Sequence, residues 1–228
     1  VKPSDRMAHI THHPQSVVKV LNKDPTARAF GLHQIALAPT QVPATMLPPA
    51  KLQYGNSHVA DPEFKGEWNP SGSSNLTFLR PPANPVNGGY LFGVLVVGSV
   101  PSNVDIVNVG DKLSTDLIRQ SGISGVRLIR GGGMLFSNDS PADLTKTFTM
   151  LQSKGARIVV VVLMDAADHG FVKLAADMLG LPTQCVKYAT LEKISRGVFS
   201  NLMIKINAKL GGTNHTLKSR LEPKDATA

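Results

Sequence analysis

The feature that most constrains the fold is a regular alternation of apolar runs and amphipathic stretches, which begins at Tyr90. The first run, Tyr90–Val100, is continuously apolar, as is typical of a strand buried on both faces of a sheet. Further strands are predicted at 125–130, 157–163 and 183–188. A helix is predicted after each strand, at 104–120, 141–154, 168–179 and 197–210. Four strand–helix units in succession predict an α/β fold with a parallel sheet.

The connections between these units narrow the architecture further. Right-handed crossovers make the fold Rossmann-like, a four-stranded parallel sheet with helices on both faces. In such sheets, ligands bind at the carboxyl ends of strands and near helix N-termini. The segments 163–173 and 183–188 are therefore the places where we expect a ligand site.

The N-terminal third of the chain has a different composition. Residues 1–75 are rich in Pro, His, Asn and Gly, and they predict one short helix near 14–21 and short extended pieces at 32–36 and 50–54. We interpret this part as an irregular linker that precedes a compact domain at 76–212. The polar residues 213–228 are either the start of another domain or an appended tail.

Charge and composition indicate the class of partner. The chain has 24 Lys and Arg against 16 Asp and Glu, a net charge of +8, which attracts polyanions and above all nucleic acid. No apolar run reaches the roughly 18 residues of a membrane helix, and there is no signal-peptide pattern. A single cysteine fits a reducing compartment, so we expect a cytoplasmic protein without membrane contact. Because the chain lacks an initiator Met, we also expect a fragment.

Two pairs of basic residues at helical spacing, His169 with Lys173 and Lys205 with Lys209, suggest an anion site. His169 and Lys173 are four apart at a predicted helix start, where we also expect unpaired N–H groups and a positive dipole. A terminal phosphate needs several convergent donors, which two helices and the strand between them could supply. Lysines four apart are, by spacing alone, more often a solvated helix face. The candidate residues are His169, Lys173, Gln184, Cys185, Lys205 and Lys209.

Two short strings resemble a known family. Thr183-Gln184-Cys185-Val186 and Lys205-Ile206-Asn207-Ala208-Lys209-Leu210-Gly211-Gly212 are similar to the junction of the MID and PIWI domains in eukaryotic, and specifically fungal, Argonautes. Weaker similarity extends through 160–173 and 91–100, and residues 24–32 and 48–55 resemble the linker from the PAZ domain. The resemblance implies a MID domain with its preceding linker at 1–75 and the very start of PIWI at 213–228.

The family's function is implied by the same resemblance. A MID domain binds the 5′ phosphate and first nucleotide of a small guide RNA in RNA silencing. The family's phosphate-binding Tyr, Lys, Gln and two helix lysines fall by position on His169, Lys173, Gln184, Lys205 and Lys209, with His169 replacing the Tyr. The family's nucleotide specificity loop, which contacts the first base, corresponds in place to a loop that differs in content and is one residue shorter: Met164, Asp165, Ala166, Ala167 and Asp168.

The resemblance also implies what the chain does not need. In eukaryotic Argonautes a lysine, here Lys205, takes the role of the divalent metal of bacterial relatives, so we expect no metal and no cofactor. The slicer residues lie in PIWI, so we expect no enzymatic activity. The expected partners are a guide RNA with a 5′ phosphate and the PAZ and PIWI domains of the same parent chain, in a monomer.

Two other function classes were compared with this hypothesis. A doubly wound enzyme with a nucleotide cofactor is disfavoured, because no GxGxxG or GxxxxGK[ST] pattern follows the glycines at 131–133 and no acid/base pair is evident. A protein-interaction domain that docks glycine–tryptophan-rich partners is also disfavoured, since the resemblance places that surface in PIWI.

Overall fold

The computed structural model describes residues 2–32, 35–36, 38, 41–44, 47–62, 77–83, 85, 87–138, 140–164, 167–193 and 195–218. They form two compact units, one that ends by residue 46 and a larger one that begins at Leu47. Asp165, Ala166 and most of the predicted tail at 213–228 lie outside the described residues. The domain limits at 75 and 212 stay predictions.

The N-terminal unit contains more helix than its sequence predicts. Instead of one helix near 14–21, the described residues form three: α1 (Pro3–Thr11), α2 (Val17–Lys23) and α3 (Pro25–Ala29). Local capping explains the last two. The Ser16 side chain accepts from Lys19 N, and the Asp24 side chain accepts from Thr26 N and Ala27 N. Short helices of this kind are set by caps rather than by an apolar period.

The larger unit contains the predicted sheet and its helices. Its described strands are β1 (Leu52–Gln53), β2 (Val59–Ala60), β3 (Tyr90–Val97), β4 (Leu128–Arg130), β5 (Leu135–Ser137), β6 (Ile158–Leu163), β7 (Thr183–Lys187) and β8 (Thr216–Leu217). Its described helices are α4 (Ile106–Ile123), α5 (Pro141–Ser153), α6 (His169–Met178), α7 (Tyr188–Glu192) and α8 (Arg196–Lys209). In the described parts of the chain, none of these helices, nor α1 to α3, is long and apolar enough to span a membrane.

The strands form two sheets. The small one is antiparallel, in the order β2-β1-β8. The large one is parallel, in the order β4-β3-β6-β7, and β5 also pairs with β3. The strands β4 and β5 share one edge position, since β4 lies beside Tyr90–Phe92 and β5 beside Leu95–Val97. The predicted parallel α/β sheet is confirmed, and β5 is an addition to it.

The side chains of the parallel sheet alternate between two core layers. One layer packs against α4 and α8 and contains Phe92, Val94, Val96, Val160, Leu117, Met203 and Ile206. The other packs against α5 and α6 and contains Leu95, Val97, Val159, Val161, Leu144, Phe148, Val172 and Ala176. Helices cover both faces, which is why β3 and β6 are apolar at successive positions instead of alternate ones.

The start of α5 follows its sequence signal closely. Ser140 is the N-cap and its side chain accepts from Asp143 N, while Pro141 occupies the first helical turn. The Asp143 carboxylate in turn accepts from Ser137 Oγ at 2.6 Å and from Asn138 N at 3.1 Å. The cap therefore ties the end of β5 to the beginning of α5.

Candidate anion-binding site

The candidate site is built on the outer edge of the parallel sheet. Among the described strands, β7 pairs with β6 and has no partner on its other side. Pro182 O accepts from Val159 N of β6 at 3.0 Å. Because successive carbonyl groups of a strand point to opposite sides, Thr183 O faces away from β6. A main-chain acceptor at the start of β7 is thus available to side chains.

Two lysines from opposite faces of the sheet converge on this acceptor. Lys173 of α6 donates from Nζ to Thr183 O at 2.9 Å and to Thr183 Oγ1 at 2.7 Å. Lys209 of α8 donates from Nζ to Thr183 O at 2.6 Å and to Gln184 Oε1 at 2.8 Å. The structure thus brings together three of the predicted residues, Lys173, Gln184 and Lys209. They are joined through Thr183, which lies in the predicted segment 183–188 but was not among the candidate residues.

The charge of this lysine pair is offset only in part, by the nearby carboxylate of Asp177. No ion pair with Lys173 or Lys209 occurs among the described residues, whose ion pairs are Lys51–Asp61, Arg119–Asp116 and Arg130–Asp111. Partial burial, and next the charge of Lys173, lower the pKa of Lys209. An ammonium group has three N–H donors, and each lysine uses two of them within the cluster. Within the described part of the chain, one N–H of each lysine is therefore left to bind an anion.

The neighbouring side chains of β7 complete the cluster. Gln184 is 5% exposed, and while its Oε1 accepts from Lys209, its Nε2 donates to Cys185 O at 2.8 Å. The Cys185 side chain is partly buried on the α5 and α6 face of the sheet. Burial raises the pKa of its thiol, and the charges of Lys173 and Lys209 offset part of this rise. Cys185 is therefore a thiol under a positive potential.

The structure does not bring His169 and Lys205 into the cluster. Both are exposed, and within the described part of the chain no hydrogen bond joins either of them to Thr183, Gln184 or the lysine pair. His169 is the first residue of α6, one turn before Lys173. Lys205 lies one turn before Lys209, and its charge contributes to the lowered pKa of Lys209. These two side chains can move toward a ligand without breaking bonds within the cluster.

The N-terminus of α6 does not offer the donors that the sequence suggested. Asp168 is the N-cap, and its Oδ1 accepts from Gly170 N at 2.6 Å and Phe171 N at 3.4 Å. The prediction of unpaired N–H groups at this helix start is therefore wrong for Gly170 and Phe171. The carboxylate that accepts from them also offsets the positive end of the helix dipole. The lysines, and not the helix end, give this site its positive charge.

The predicted base-contacting loop is described only in part. The Met164 side chain is 4% exposed and belongs to the core, while Met164 N donates to Val97 O at 3.0 Å. Ala167 is partly buried, and its N–H donates to Met164 O at 2.9 Å. Of the loop residues that the structure describes, Asp168 is the one with an exposed side chain.

A groove adjoins the lysine pair at the amino ends of β6 and β7. Its volume is about 340 Å³, and its lining includes Lys209, Arg157, Gln152, Leu181 and Pro182. Arg157 thereby adds a further cation beside Lys209. Over the described ranges, no group of three or more His, Cys, Asp or Glu side chains is placed to hold a metal ion.

Comparison with known proteins gives a family-model match over part of the chain. Residues 158–227 match the family model described as the Piwi domain. The match begins at β6 and spans all six candidate residues, from His169 to Lys209.

Solved structures with a similar fold include several Argonautes. The Argonaute of Kluyveromyces polysporus with a guide RNA has a TM-score of 0.62 and 19% identity, over 86% of this chain and 25% of that one. The C-terminal lobe of a budding yeast Argonaute has a TM-score of 0.60 and 18% identity, over 75% of this chain and 38% of that one. Aquifex aeolicus Argonaute has a TM-score of 0.63 and 15% identity, over 98% of this chain and 31% of that one. The chain thus spans between 25% and 38% of these structures, and it shares their fold.

Proposed function

We propose that this chain is the guide-anchoring MID domain of a fungal Argonaute, with its preceding linker and the very start of PIWI. It binds the 5′ phosphate and first nucleotide of a small guide RNA in RNA silencing. The observation that carries the proposal is the pair of lysine ammonium groups that donate to Thr183. Among the described residues this pair forms no ion pair with a carboxylate, and each lysine has one N–H left for an anion. The Piwi-domain match over residues 158–227 and the guide RNA in the similar Kluyveromyces structure support it.

The chemistry of a phosphate monoester fits this pair. It carries a charge of about −1.5 to −2 at pH 7 and three acceptor oxygens. Two oxygens can accept the remaining N–H groups of Lys173 and Lys209, and we assign the third to the exposed side chains of Lys205 and His169. Each charge-assisted bond contributes about 1.5–3 kcal/mol. A phosphodiester has one charge and two free oxygens, so the pair favours a terminal phosphate over an internal one.

The remaining properties belong to the same proposal. The groups gathered at Thr183 are ammoniums, an amide and a thiol, which hold a phosphate rather than cleave it, so we take the fragment to be non-catalytic. Its partners are then the guide RNA and the PAZ and PIWI domains of the parent chain. We further propose a cytoplasmic monomer that uses neither metal nor cofactor.

The decisive experiment compares three short RNAs of one sequence: 5′-phosphorylated, 5′-hydroxyl, and 5′-hydroxyl with a 3′ phosphate. The last has the same net charge as the first, so it controls for attraction to a surface of net charge +8. We expect the 5′-phosphorylated RNA to bind at least about tenfold more tightly than both others, which corresponds to one charge-assisted bond. Equal affinities for the three RNAs would refute the proposed function.

A further inference from the structure

Thr183 is the residue through which the two lysines meet, although it was not among the candidate residues of the sequence. It is 3% exposed and is the first residue of β7. Its main-chain oxygen accepts from both Lys173 and Lys209, and its hydroxyl accepts from Lys173 as well. Three of the four hydrogen bonds that the two ammonium groups make in the cluster therefore end on this one residue.

We propose that Thr183 is a positioning residue of the anion site. Its two oxygens hold both ammonium groups in place before the ligand arrives, and its hydroxyl fixes the direction of the N–H that Lys173 retains for the phosphate. This inference rests on the proposed function, because it assumes that the lysine pair binds a phosphate. It adds a residue and a role: Thr183 acts on the ligand through Lys173 and Lys209 and does not contact it.

The need for a positioning residue follows from the two lysines themselves. Their side chains are long and flexible, and their like charges repel each other. A carbonyl oxygen has two lone pairs and can accept from both ammoniums at once, which holds them close together. Thr183 O is itself held firmly, because β7 pairs with β6 from Thr183 to Lys187. Ordering the lysines in advance lowers the entropic cost of binding.

The two oxygens of Thr183 can be separated by mutation. The main-chain oxygen remains in every variant, so Thr183→Val removes only the hydroxyl that Lys173 contacts. Valine has nearly the same shape and favours strands, which protects the fold. Thr183→Ser restores the hydroxyl without the methyl group, and Thr183→Ala removes both. The matched control is Thr147→Val, at a buried threonine of α5 outside the cluster.

The experiment measures the affinity ratio of 5′-phosphorylated to 5′-hydroxyl RNA for each variant. We expect Thr183→Val and Thr183→Ala to lower this ratio by about three- to tenfold, a free-energy change smaller than that of losing one full charge-assisted bond. Thr183→Ser and Thr147→Val should keep the ratio within about twofold of the wild-type value. In a Lys173→Met background, Thr183→Val should change nothing further. An unchanged ratio in Thr183→Val would overturn the proposal, as would an equal loss in Thr183→Ser.

A second readout keeps this inference separate from the proposed function. In the ligand-free protein, ¹⁵N NMR of the lysine ammonium groups reports their hydrogen bonding directly. We expect a slowly exchanging Lys173 ammonium signal in the wild type and in Thr183→Ser, and its loss in Thr183→Val. If wild-type protein does not discriminate between the RNAs, the proposed function fails. The ammonium signal then still decides whether Thr183 positions Lys173, since an unchanged signal in Thr183→Val would contradict it.

Discussion

The substitution Lys209→Met tests the lysine pair most directly. Methionine keeps most of the length and the apolar stem of lysine but removes its charge and all three donors. In the structure this removes the hydrogen bonds from Nζ to Thr183 O and to Gln184 Oε1. It also removes the N–H that Lys209 would offer to a phosphate. Lys173 keeps both of its own bonds to Thr183.

The expected loss of binding follows from one charge-assisted hydrogen bond. Such a bond contributes about 1.5–3 kcal/mol, and about 1.4 kcal/mol corresponds to a tenfold change in affinity. Lys209→Met should therefore weaken binding of 5′-phosphorylated RNA by about 10- to 100-fold. Binding of the 5′-hydroxyl RNA should change far less, because it lacks the group that Lys209 contacts.

The expected effect on stability is smaller because two contributions oppose each other. Gln184 Oε1, a buried acceptor, loses Lys209 as its donor, which costs about 1–3 kcal/mol. The variant also removes a charge that is disfavoured in the fold, as the lowered pKa of Lys209 shows. We expect a net loss of less than about 2 kcal/mol, measured by urea unfolding.

The assay is fluorescence anisotropy with RNA labelled at its 3′ end. Lys112→Met is the matched control, because Lys112 is an exposed lysine of α4 outside the cluster and its loss changes the net charge equally. The reasoning would be refuted if Lys209→Met weakened binding no more than Lys112→Met. It would also be refuted if Lys209→Met weakened phosphorylated and hydroxyl RNA by the same factor.

Three further predictions concern pH, the thiol and the α5 cap. Affinity for 5′-phosphorylated RNA, measured by calorimetry, should rise as the phosphate gains its second charge near pH 6. Because the pKa of Lys209 is lowered, the affinity should begin to fall again before the pH reaches the ordinary lysine value of 10.5. A loss of affinity that begins only above pH 10.5 would contradict this. The pKa of Cys185 is raised above 9.0, and Lys173→Met should raise it further, because it removes a charge that lowers this pKa. The midpoint of the pH profile for alkylation by iodoacetamide should therefore move upward, and a downward shift would argue against this electrostatic effect of Lys173. Ser140→Ala should lower stability by about 1 kcal/mol in urea unfolding without altering the preference for phosphorylated RNA.

The fold could be predicted where one local pattern determined the structure. The strands β3 and β6 are continuously apolar because both faces of the sheet are covered, and α5 begins at a serine cap followed by proline. The strand β5 could not be predicted, because its three residues have no period of their own. They become a strand by lying beside Leu95–Val97 after the turn that follows β4. Pairing between distant segments of this kind leaves no mark in a short stretch of sequence.

The site was predictable to a similar extent. Spacing alone favoured a solvated helix face for the lysines. It was the resemblance that named Lys173, Gln184 and Lys209, the three predicted residues that converge in the structure. Thr183 was not predictable, since its main acceptor is a carbonyl that every residue possesses. The occupied N-terminus of α6 was readable, however, because an Asp directly before a helix is a common cap. That signal should have taken precedence over the general rule that helix N-termini attract anions.

The edge position of β7 gives the lysine pair a second consequence, for self-association. An unpaired strand edge is a template on which another chain can add a strand, and lysines are one of the means by which proteins prevent this. Here the outward carbonyl at the start of β7 is occupied by two ammonium groups, and the opposite edge is divided between the short strands β4 and β5. Neither edge offers a long uninterrupted row of free main-chain groups. The two lysines to which we assign the phosphate would thus also hinder the addition of a strand at the start of β7.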